Sequence, residues 1–539
     1  MRGYLTDIGY RRFMAGPDNV VERSMSINAK FLPRLQAAVE QNALLRIGWT
    51  GSGEEVPKNG EVGLCPAMPE GARIRALGKL GSWTSSFGGG GRFDIEGETG
   101  AFFGAYNQGS QLSVSGFAGR CAGFMMQGGE LSVKGGAGDD LGMYMSGGFI
   151  FAKGDVGERL GNGMNEGIIV VQGDVGNGAG CAMKGGKIII EGRCPTPPQG
   201  TQIRPLTASE LKKINKELEA FDASLGTDAF CLEKSDAVDF DLDNAAVSSG
   251  DLSSIGITSM EESPLIDNHD VDTAALISGT DDESPPILLP LPVLPFIPDG
   301  ELLLSAGTNS SGRLSCVQAQ PFLVEERPRP IDILLLNIRT MCDLAQHAAS
   351  TAGVCIDFDS LPALNDEEMD GLLVILRTLL TPESPILATQ GISRIQTLHQ
   401  RSVYHNLQVA VSKIEDGTGI PEAATLPIIG RSVKTNLEST STIAALEFGF
   451  TCDAHDIIVS RCAGAQFVVT QPPVLELEDI EFWLQGLTID MKRILRQLGL
   501  ESIDQLKRAH LRALDYDTAA VSGLRMVGYE RPLPHWFAR

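Results

Sequence analysis

The stretch GFAGRCAGFMMQGGELSVKGGAGDDLGMYMSGGFIFAKGDVGERLGNGMNEGIIVVQGDVGNGAGCAMKGGKIIIE (residues 116–191) decides the fold, because it repeats itself every nineteen residues. Over residues 74–192, glycines and apolar residues keep this phase, and apolar positions two residues apart are typical of one face of a short strand. The glycines are Gly78, Gly97, Gly116, Gly135, Gly154, Gly173 and Gly192, and the first apolar set is Phe93, Leu112, Leu131, Ile150, Ile169 and Ile188.

This repeat predicts a right-handed parallel β-helix over residues 74–203. Each unit supplies short strands separated by glycine turns, and each strand pairs with the units before and after it. Glycine is needed where φ is positive or where adjacent coils leave no room for a Cβ. One methionine per unit (Met126, Met145, Met164 and Met183) is interpreted as core filling rather than as a metal ladder.

Composition places the chain among globular proteins that do not bind nucleic acid. The 539 residues carry a formal charge of −24, which disfavours nucleic acid and anionic membranes as partners. The ten cysteines form no CxxC pair and no zinc-site spacing, which favours reduced thiols in the cytoplasm. We expect neither a signal peptide nor a membrane-spanning segment, because no apolar run is long enough.

The pattern divides the chain into five regions. We expect an N-terminal helical cap (1–73), the β-helix (74–203), a capping helix (204–233), an acidic and proline-rich linker (234–327) and an α/β domain (328–539). Thr207 or Ser209 can cap the 204–225 helix. Between Ser235 and Gly312 the chain has fifteen acidic residues and no Lys or Arg, as in a solvated spacer.

From residue 330 apolar strand patterns alternate with helical ones. This alternation predicts a parallel sheet, either a barrel or a doubly wound sheet. The expected strands are 332–337, 353–358, 385–389, 407–412, 426–430 and 456–460. The domain is about 210 residues long, short of the roughly 250 of a full barrel, so the pattern leaves open whether the barrel is truncated.

The repeat itself, in forms such as GDVGERLGNGM (154–164), resembles the GXGXG domain. That domain ends the large subunit of glutamate synthase and also forms part of the C subunit of formylmethanofuran dehydrogenase and of the related formyltransferase/hydrolase complex. The resemblance implies a structural role, in which the β-helix holds other domains in register. RSMSINAKFLPRLQAAVEQ (23–41) is similar to the helix that precedes the repeat in those proteins.

The α/β domain resembles the FMN-binding barrel of glutamate synthase. The resemblance lies in IEDGTGIPEA (414–423), IIGRSVKTNLESTSTIAALEFGF (428–450), CAGAQFVVTQPP (462–473) and the helical segment 490–515. It implies a TIM-barrel-like fold that could bind FMN, with Thr418, Gly419 and Lys434 as flavin contacts. The alternative is that these three residues are relics of the fold without a ligand.

The same segments depart from the family at its cofactor positions. Arg431, Ser432 and Val433 stand where the family has glycines before its Lys-Thr turn. Only Cys462 matches the family's three-cysteine segment, so an iron–sulfur cluster is disfavoured. Arg2 follows the initiator methionine where the glutaminase nucleophile would be a cysteine. No residue is assigned as catalytic, and no metal site is expected from the histidine spacing.

Three functions stay open at this point. The first is a structural or divergent subunit of a glutamate-synthase-like system in nitrogen metabolism. The second is an active FMN-dependent oxidoreductase of the glutamate synthase type. The third is a scaffold subunit of a formylmethanofuran dehydrogenase or formyltransferase/hydrolase complex. In each case we expect protein partners, such as a glutaminase-like or electron-donor subunit, or self-association.

Overall fold

The computed structural model describes residues 19–48, 60–198, 200–235, 252–259, 273–277, 287, 289–298, 315–473, 475 and 477–529. It contains a ten-stranded sheet, a closed barrel of eight strands and a two-stranded ribbon. The sheet comprises β1 (Leu45–Ile47), β2 (Arg73–Leu77), β3 (Arg92–Glu96), β4 (Gln111–Val114), β5 (Glu130–Val133), β6 (Ser146–Ala152), β7 (Glu166–Val171), β8 (Lys187–Ile190), β9 (Thr201–Pro205) and β10 (Phe230–Lys234).

Strands β1 to β8 pair in parallel and in chain order, and we call residues 73–192 the repeat block. Its rungs join residues nineteen apart, such as Phe93 with Leu112 and Leu112 with Leu131, except that Ser146 pairs with Glu166 at a register shift. A second ladder of parallel bridges has the same spacing and links Leu80, Thr99, Ala118, Ala137, Val156 and Val175. The predicted apolar and methionine positions are buried in one continuous core.

Glycine is required in the repeat block by the close approach of one unit to the next. A Cβ on Gly154 would lie 1.8 Å from the carbonyl oxygen of Gly135 and 2.5 Å from its carbonyl carbon. Both atoms are backbone, so no side-chain rearrangement could make room. The repeated glycine is therefore a steric requirement of stacking and needs no ligand to explain it.

Helices and strands cover both ends of the repeat block. Helix α1 (Val20–Glu40) buries Phe31 and Leu35 in the core of the block beside β1. At the other end β10 pairs antiparallel with β8, and β9 pairs with β10. Helix α2 (Ala208–Leu218) is shorter than the predicted 204–225 helix, begins after the cap residue Thr207, and packs on the outer face of the sheet.

The C-terminal half forms a closed parallel barrel, which confirms the multidomain α/β expectation and excludes a doubly wound sheet. Its first strand pairs with its last, through Val293 and Val468. The strands are β12 (Val293–Ile297), β13 (Leu323–Val324), β14 (Ile333–Leu336), β15 (Gly353–Asp357), β16 (Ile386–Gly391), β17 (Val409–Lys413), β18 (Ile443–Glu447) and β19 (Phe467–Thr470). The antiparallel ribbon joins β11 (Ile255–Ile257) to β20 (Leu511–Ala513).

Helices surround this barrel, and their bounds correct two of the predicted strands. They are α3 (Ser315–Ala319), α4 (Leu344–His347), α5 (Asp366–Leu379), α6 (Ile395–Tyr404), α7 (Glu422–Ser432), α8 (Ala454–Ala463), α9 (Leu477–Leu498) and α10 (Tyr516–Ser522). The predicted strands at 426–430 and 456–460 are wrong, because both segments lie in helices, α7 and α8. Short apolar runs inside buried helices have the same composition as buried strands.

The barrel also begins earlier in the chain than the predicted α/β region. Strand β12 comes from the proline-rich segment, and β13 lies just before residue 328, so both belong to the stretch assigned to the linker. Strand β12 was not predicted because it contains Pro295. Proline removes a backbone donor and argues against a central strand. With these two strands the barrel has eight and is complete.

The repeat block packs directly against the barrel. Aromatic side chains of the block form one buried cluster with the outer faces of β14 and β15 and with α5. Trp83 stacks on Phe102 at 4.5 Å between ring centroids, and a Cβ on Gly371 of α5 would lie 2.9 Å from Trp83 Cδ1. At the edge of this contact Arg120 donates to both carboxylate oxygens of Glu368.

None of the helices in the described ranges has both the length and the apolar character that a membrane crossing requires.

Candidate active site at the barrel mouth

Polar side chains replace apolar ones at the carboxyl ends of four neighbouring barrel strands. Inside the barrel, a buried apolar layer includes Leu335, Cys355, Leu387, Val411 and Ala445. Because side chains alternate along a strand, the positions two residues further on also face inward. They are Asp357 of β15, Thr389 of β16, Lys413 of β17 and Glu447 of β18. Barrel enzymes place their active sites at this end of the strands.

These four residues, which we call the mouth cluster, are joined by two short hydrogen bonds. Lys413 Nζ donates to Asp357 Oδ1 at 2.8 Å, and Thr389 Oγ1 donates to Glu447 Oε2 at 2.9 Å. Lys413 and Glu447 are register partners in the β17–β18 pair. The Lys413 and Asp357 side chains keep 22% and 13% of their surface exposed, so this part of the cluster is in contact with solvent.

Burial and charge act on these groups in different ways. Burial raises the pKa of Glu447, and the Lys413 charge and the Thr389 hydrogen bond only partly oppose it. Burial alone would lower the pKa of Lys413, but the carboxylates of Asp357 and Glu447 outweigh it and raise that pKa. The mouth cluster thus combines a lysine held in its charged form with a carboxyl group that binds a proton more tightly than usual.

The raised pKa of Glu447 predicts a specific pH dependence of stability. A group whose pKa is raised on folding stabilises the fold below its unfolded-state pKa, and that contribution is lost as the pH rises through the folded-state pKa. The free energy of unfolding of the Glu447→Gln variant, relative to the native protein, should therefore improve from pH 4 to pH 8. Urea unfolding at both pH values measures this, and an unchanged difference would contradict the assignment.

Three backbone N–H groups at the barrel mouth already donate to carboxylates of the protein. Asp359 Oδ2 accepts from Gly391 N at 2.8 Å, and Asp416 accepts from the backbone of Ser393 and Thr418 at 2.9 and 3.1 Å. Although burial acts to raise it, the hydrogen bonds from Thr418 and Ser393 lower the pKa of Asp416. These loops hold built-in negative charge at the positions where an anion would bind.

The residues of the mouth loops show whether this barrel could hold the phosphate of the FMN that the glutamate synthase resemblance implies. Barrel phosphate sites commonly use the loops after strands seven and eight and a helix N-terminus there. After β18, the seventh barrel strand, a Cβ on Gly449 would lie 2.2 Å from Glu415 Oε2, so a carboxylate lies against this loop. Helix α8, which follows, is capped by the Asp453 side chain, with Asp456 in its first turn. These residues do not fit the FMN phosphate.

The structure does not bring the three predicted flavin contacts together. Thr418 and Gly419 lie in the loop after β17, at the mouth. Lys434 is exposed in the π-helical turn Val433–Leu437, which follows α7 and leads into the start of β18 at the opposite end of the barrel. Helix α7 runs the length of the barrel wall between them, so one ligand at the mouth cannot reach both.

The mouth cluster was missed by sequence reasoning, although a signal existed. Each of Asp357, Lys413 and Glu447 is the last residue of a strand whose preceding residues are apolar or small, in GVCID, VAVSK and IAALE. A charged residue at the carboxyl end of a buried parallel strand faces the active-site end of a barrel. The strand of Glu447 was not predicted, so the cluster could not be assembled.

Cys452 and Cys462 do not form a cluster site. Cys452 precedes helix α8 and Cys462 lies in its last turn, which separates them by roughly 15 Å at 1.5 Å per residue. Burial raises the pKa of Cys462 to about 12 and that of Cys452 still further. Protonated thiols at opposite ends of one helix are not arranged to ligate a shared iron–sulfur cluster.

One further group of potential metal donors lies at the N-terminus of α8. Ligand atoms of Asp453, His455 and Asp456 lie within 4.8 Å of one another. His455 Nε2 lies 2.8 Å from the carbonyl oxygen of Ile255, and Asp453 and Asp456 make the capping box of the helix. Helix capping and the Ile255 contact account for this arrangement.

Comparison with known proteins finds similarity among solved structures only. No protein-family profile matches the chain, and no curated protein matches it. The recombinant flavin-binding domain of baker's yeast flavocytochrome b2 is 14% identical, covers 53% of this chain and 84% of its own, and gives a TM-score of 0.35.

Two other solved structures give similar values. A mandelate oxidase mutant with 2-hydroxy-phenylacetamide is 15% identical over 48% of this chain and 86% of its own, with a TM-score of 0.34. A mutant of (S)-mandelate dehydrogenase is 12% identical over 49% and 88%, with a TM-score of 0.33. With identities and TM-scores this low, the similarities carry no argument about ligand or reaction.

Proposed function

We propose that this chain is a divergent relative of the glutamate synthase large subunit in which the repeat block is a parallel β-helix of the GXGXG type. Two parallel ladders with the same nineteen-residue step support the β-helix interpretation. The steric need for glycine at Gly154 supports it further, since close stacking of successive units explains the repeated glycine. In this proposal the block is a scaffold that positions the barrel.

The barrel, in the same proposal, has lost the flavin of its relatives. The observation that carries this is the set of carboxylates at the mouth loops, above all Glu415 against Gly449 after the seventh strand. A phosphate there would meet a carboxylate at contact distance and find the neighbouring N–H donors of Gly391 and Thr418 already used. The protein then works as a structural or divergent subunit rather than as an FMN-dependent oxidoreductase.

An absorption spectrum of the purified protein tests this proposal. We expect no flavin absorption bands, and no quenching of FMN fluorescence when the protein is titrated to about a tenfold excess over FMN at roughly micromolar concentration. Stoichiometric flavin in the purified protein would overturn the proposal and favour the active oxidoreductase. The native mass of the same sample tests whether the chain assembles with copies of itself or with a second subunit.

A further inference from the structure

We propose that the mouth cluster catalyses reversible proton transfer at the carbon next to a carbonyl group, acting on small uncharged hydroxycarbonyl compounds. Glu447 is the base that takes the proton, and Lys413 stabilises the oxyanion that forms. This activity goes beyond the scaffold role and needs no flavin. It rests on the geometry of Asp357, Thr389, Lys413 and Glu447, which face one another at the open end of the barrel.

Lys413 is placed to bind the carbonyl oxygen. Its ammonium group has three N–H donors, and Asp357 accepts one of them at 2.8 Å. The neighbouring carboxylates keep it charged, which makes it a poor nucleophile and a good donor to an oxygen that becomes negative. Asp357 is a positioning residue, because it orients the lysine without contacting the reacting carbon.

Glu447 is placed to exchange the proton. Thr389 holds its Oε2 at 2.9 Å, which leaves Oε1 to face the substrate. In the forward step a C–H bond breaks, its proton forms an O–H bond with Glu447, and its electron pair forms the C=C bond of an enediolate. The carbonyl π electrons move to the oxygen beside Lys413. In the reverse step Glu447 returns a proton to the same carbon, and the electron pair on oxygen re-forms the carbonyl, so atoms and electrons balance without an oxidant or a reductant.

The charges around the mouth cluster define the substrate class. Asp359, Glu415 and Asp416 lie in the loops that follow β15 and β17, and Lys413 is already paired with Asp357. A phosphate or carboxylate substrate would be repelled, whereas hydroxyl groups can donate to these acceptors. A neutral compound with a hydroxyl next to its carbonyl fits best, and dihydroxyacetone is the simplest probe.

Deuterium exchange provides the test. The full-length protein is incubated with dihydroxyacetone in D2O, and loss of the methylene signal is followed by proton NMR. We expect exchange faster than in buffer, and a loss of about 100-fold or more in Glu447→Gln and Lys413→Met. Lys184→Met, an exposed lysine of the repeat block, is the control and should exchange like the native protein.

The pH profile of the native protein keeps the test decisive if a variant does not fold. The rate should rise as Glu447 ionises and then level off, whereas a rate that follows hydroxide concentration would overturn the proposal. Native protein no faster than buffer, or exchange that survives both substitutions, would also overturn it. Because all samples lack added FMN, exchange without flavin bands supports both proposals, and flavin bands without exchange overturn both. No exchange with no flavin bands overturns only this one.

Discussion

Replacing Gly154 with alanine is expected to unfold the repeat block. The new methyl group would lie 1.8 Å from the carbonyl oxygen of Gly135 and 2.5 Å from its carbonyl carbon, both in the backbone of the preceding unit. The two units must separate, which breaks parallel hydrogen bonds on both sides, and we expect a loss of at least about 3 kcal/mol. Urea unfolding followed by far-ultraviolet circular dichroism measures it.

Gly89→Ala is the matched control for this change. Gly89 also lies in the repeat block, but a Cβ there would come no closer than 3.8 Å to another heavy atom, the carbonyl oxygen of Met68. We expect its free energy of unfolding to stay within about 0.5 kcal/mol of the native value. If Gly154→Ala were as stable as Gly89→Ala, the steric account of the repeat would be wrong.

Replacing Arg120 with alanine is expected to weaken the junction between the repeat block and the barrel. Arg120 binds both carboxylate oxygens of Glu368, whose side chain is 3% exposed, and also donates to the carbonyl of Ala363. Without the arginine a buried carboxylate loses its cationic partner and keeps only the hydrogen bond from the backbone of Asn365. We expect a cost of about 3 kcal/mol, the lower end for buried pairs, because 34% of the Arg120 side chain is exposed.

An exposed ion pair of the same block is the control for the effect of burial on the free energy of unfolding. Arg75 pairs with Glu96, and both side chains are more than 40% exposed, so Arg75→Ala should cost less than about 1 kcal/mol. In the double variant Arg120→Ala with Glu368→Gln, the uncompensated charge is gone and part of the lost stability should return. A double variant less stable than Arg120→Ala alone would show that the pair does not act through charge.

Much of the fold could be predicted from periodicity. The nineteen-residue rungs and the strands at 333–336, 353–357, 386–391 and 409–413 lie where apolar patterns put them. The last two barrel strands could not be found in this way, because helices α7 and α8 contain equally apolar runs, and β12 contains a proline. The mouth cluster comes from four strands, and its residues become neighbours only when those strands pair in register.

The candidate site shows a different limit of sequence reasoning. The sequence predicts Thr418, Gly419 and Lys434 as flavin contacts because a similar pattern occurs in a known family. The structure separates them by the length of helix α7. The carboxylates that disfavour a phosphate, Asp416 and Glu415, are in the same glycine-rich segment. The hydrogen bond from Ser393 to Asp416 and the closeness of Glu415 to Gly449 depend on the fold.

The spacing of the ladders has a consequence for the order in which the molecule folds. A rung of the repeat block such as Leu112 with Leu131 closes a loop of nineteen residues, whereas closure of the barrel joins Val293 to Val468. The chain-entropy cost of the longer loop is higher by about 2 kcal/mol. During synthesis from the N-terminus, the block has all its rungs before the last barrel strand exists. The aromatic surface around Trp83 can therefore serve as a template on which the barrel closes.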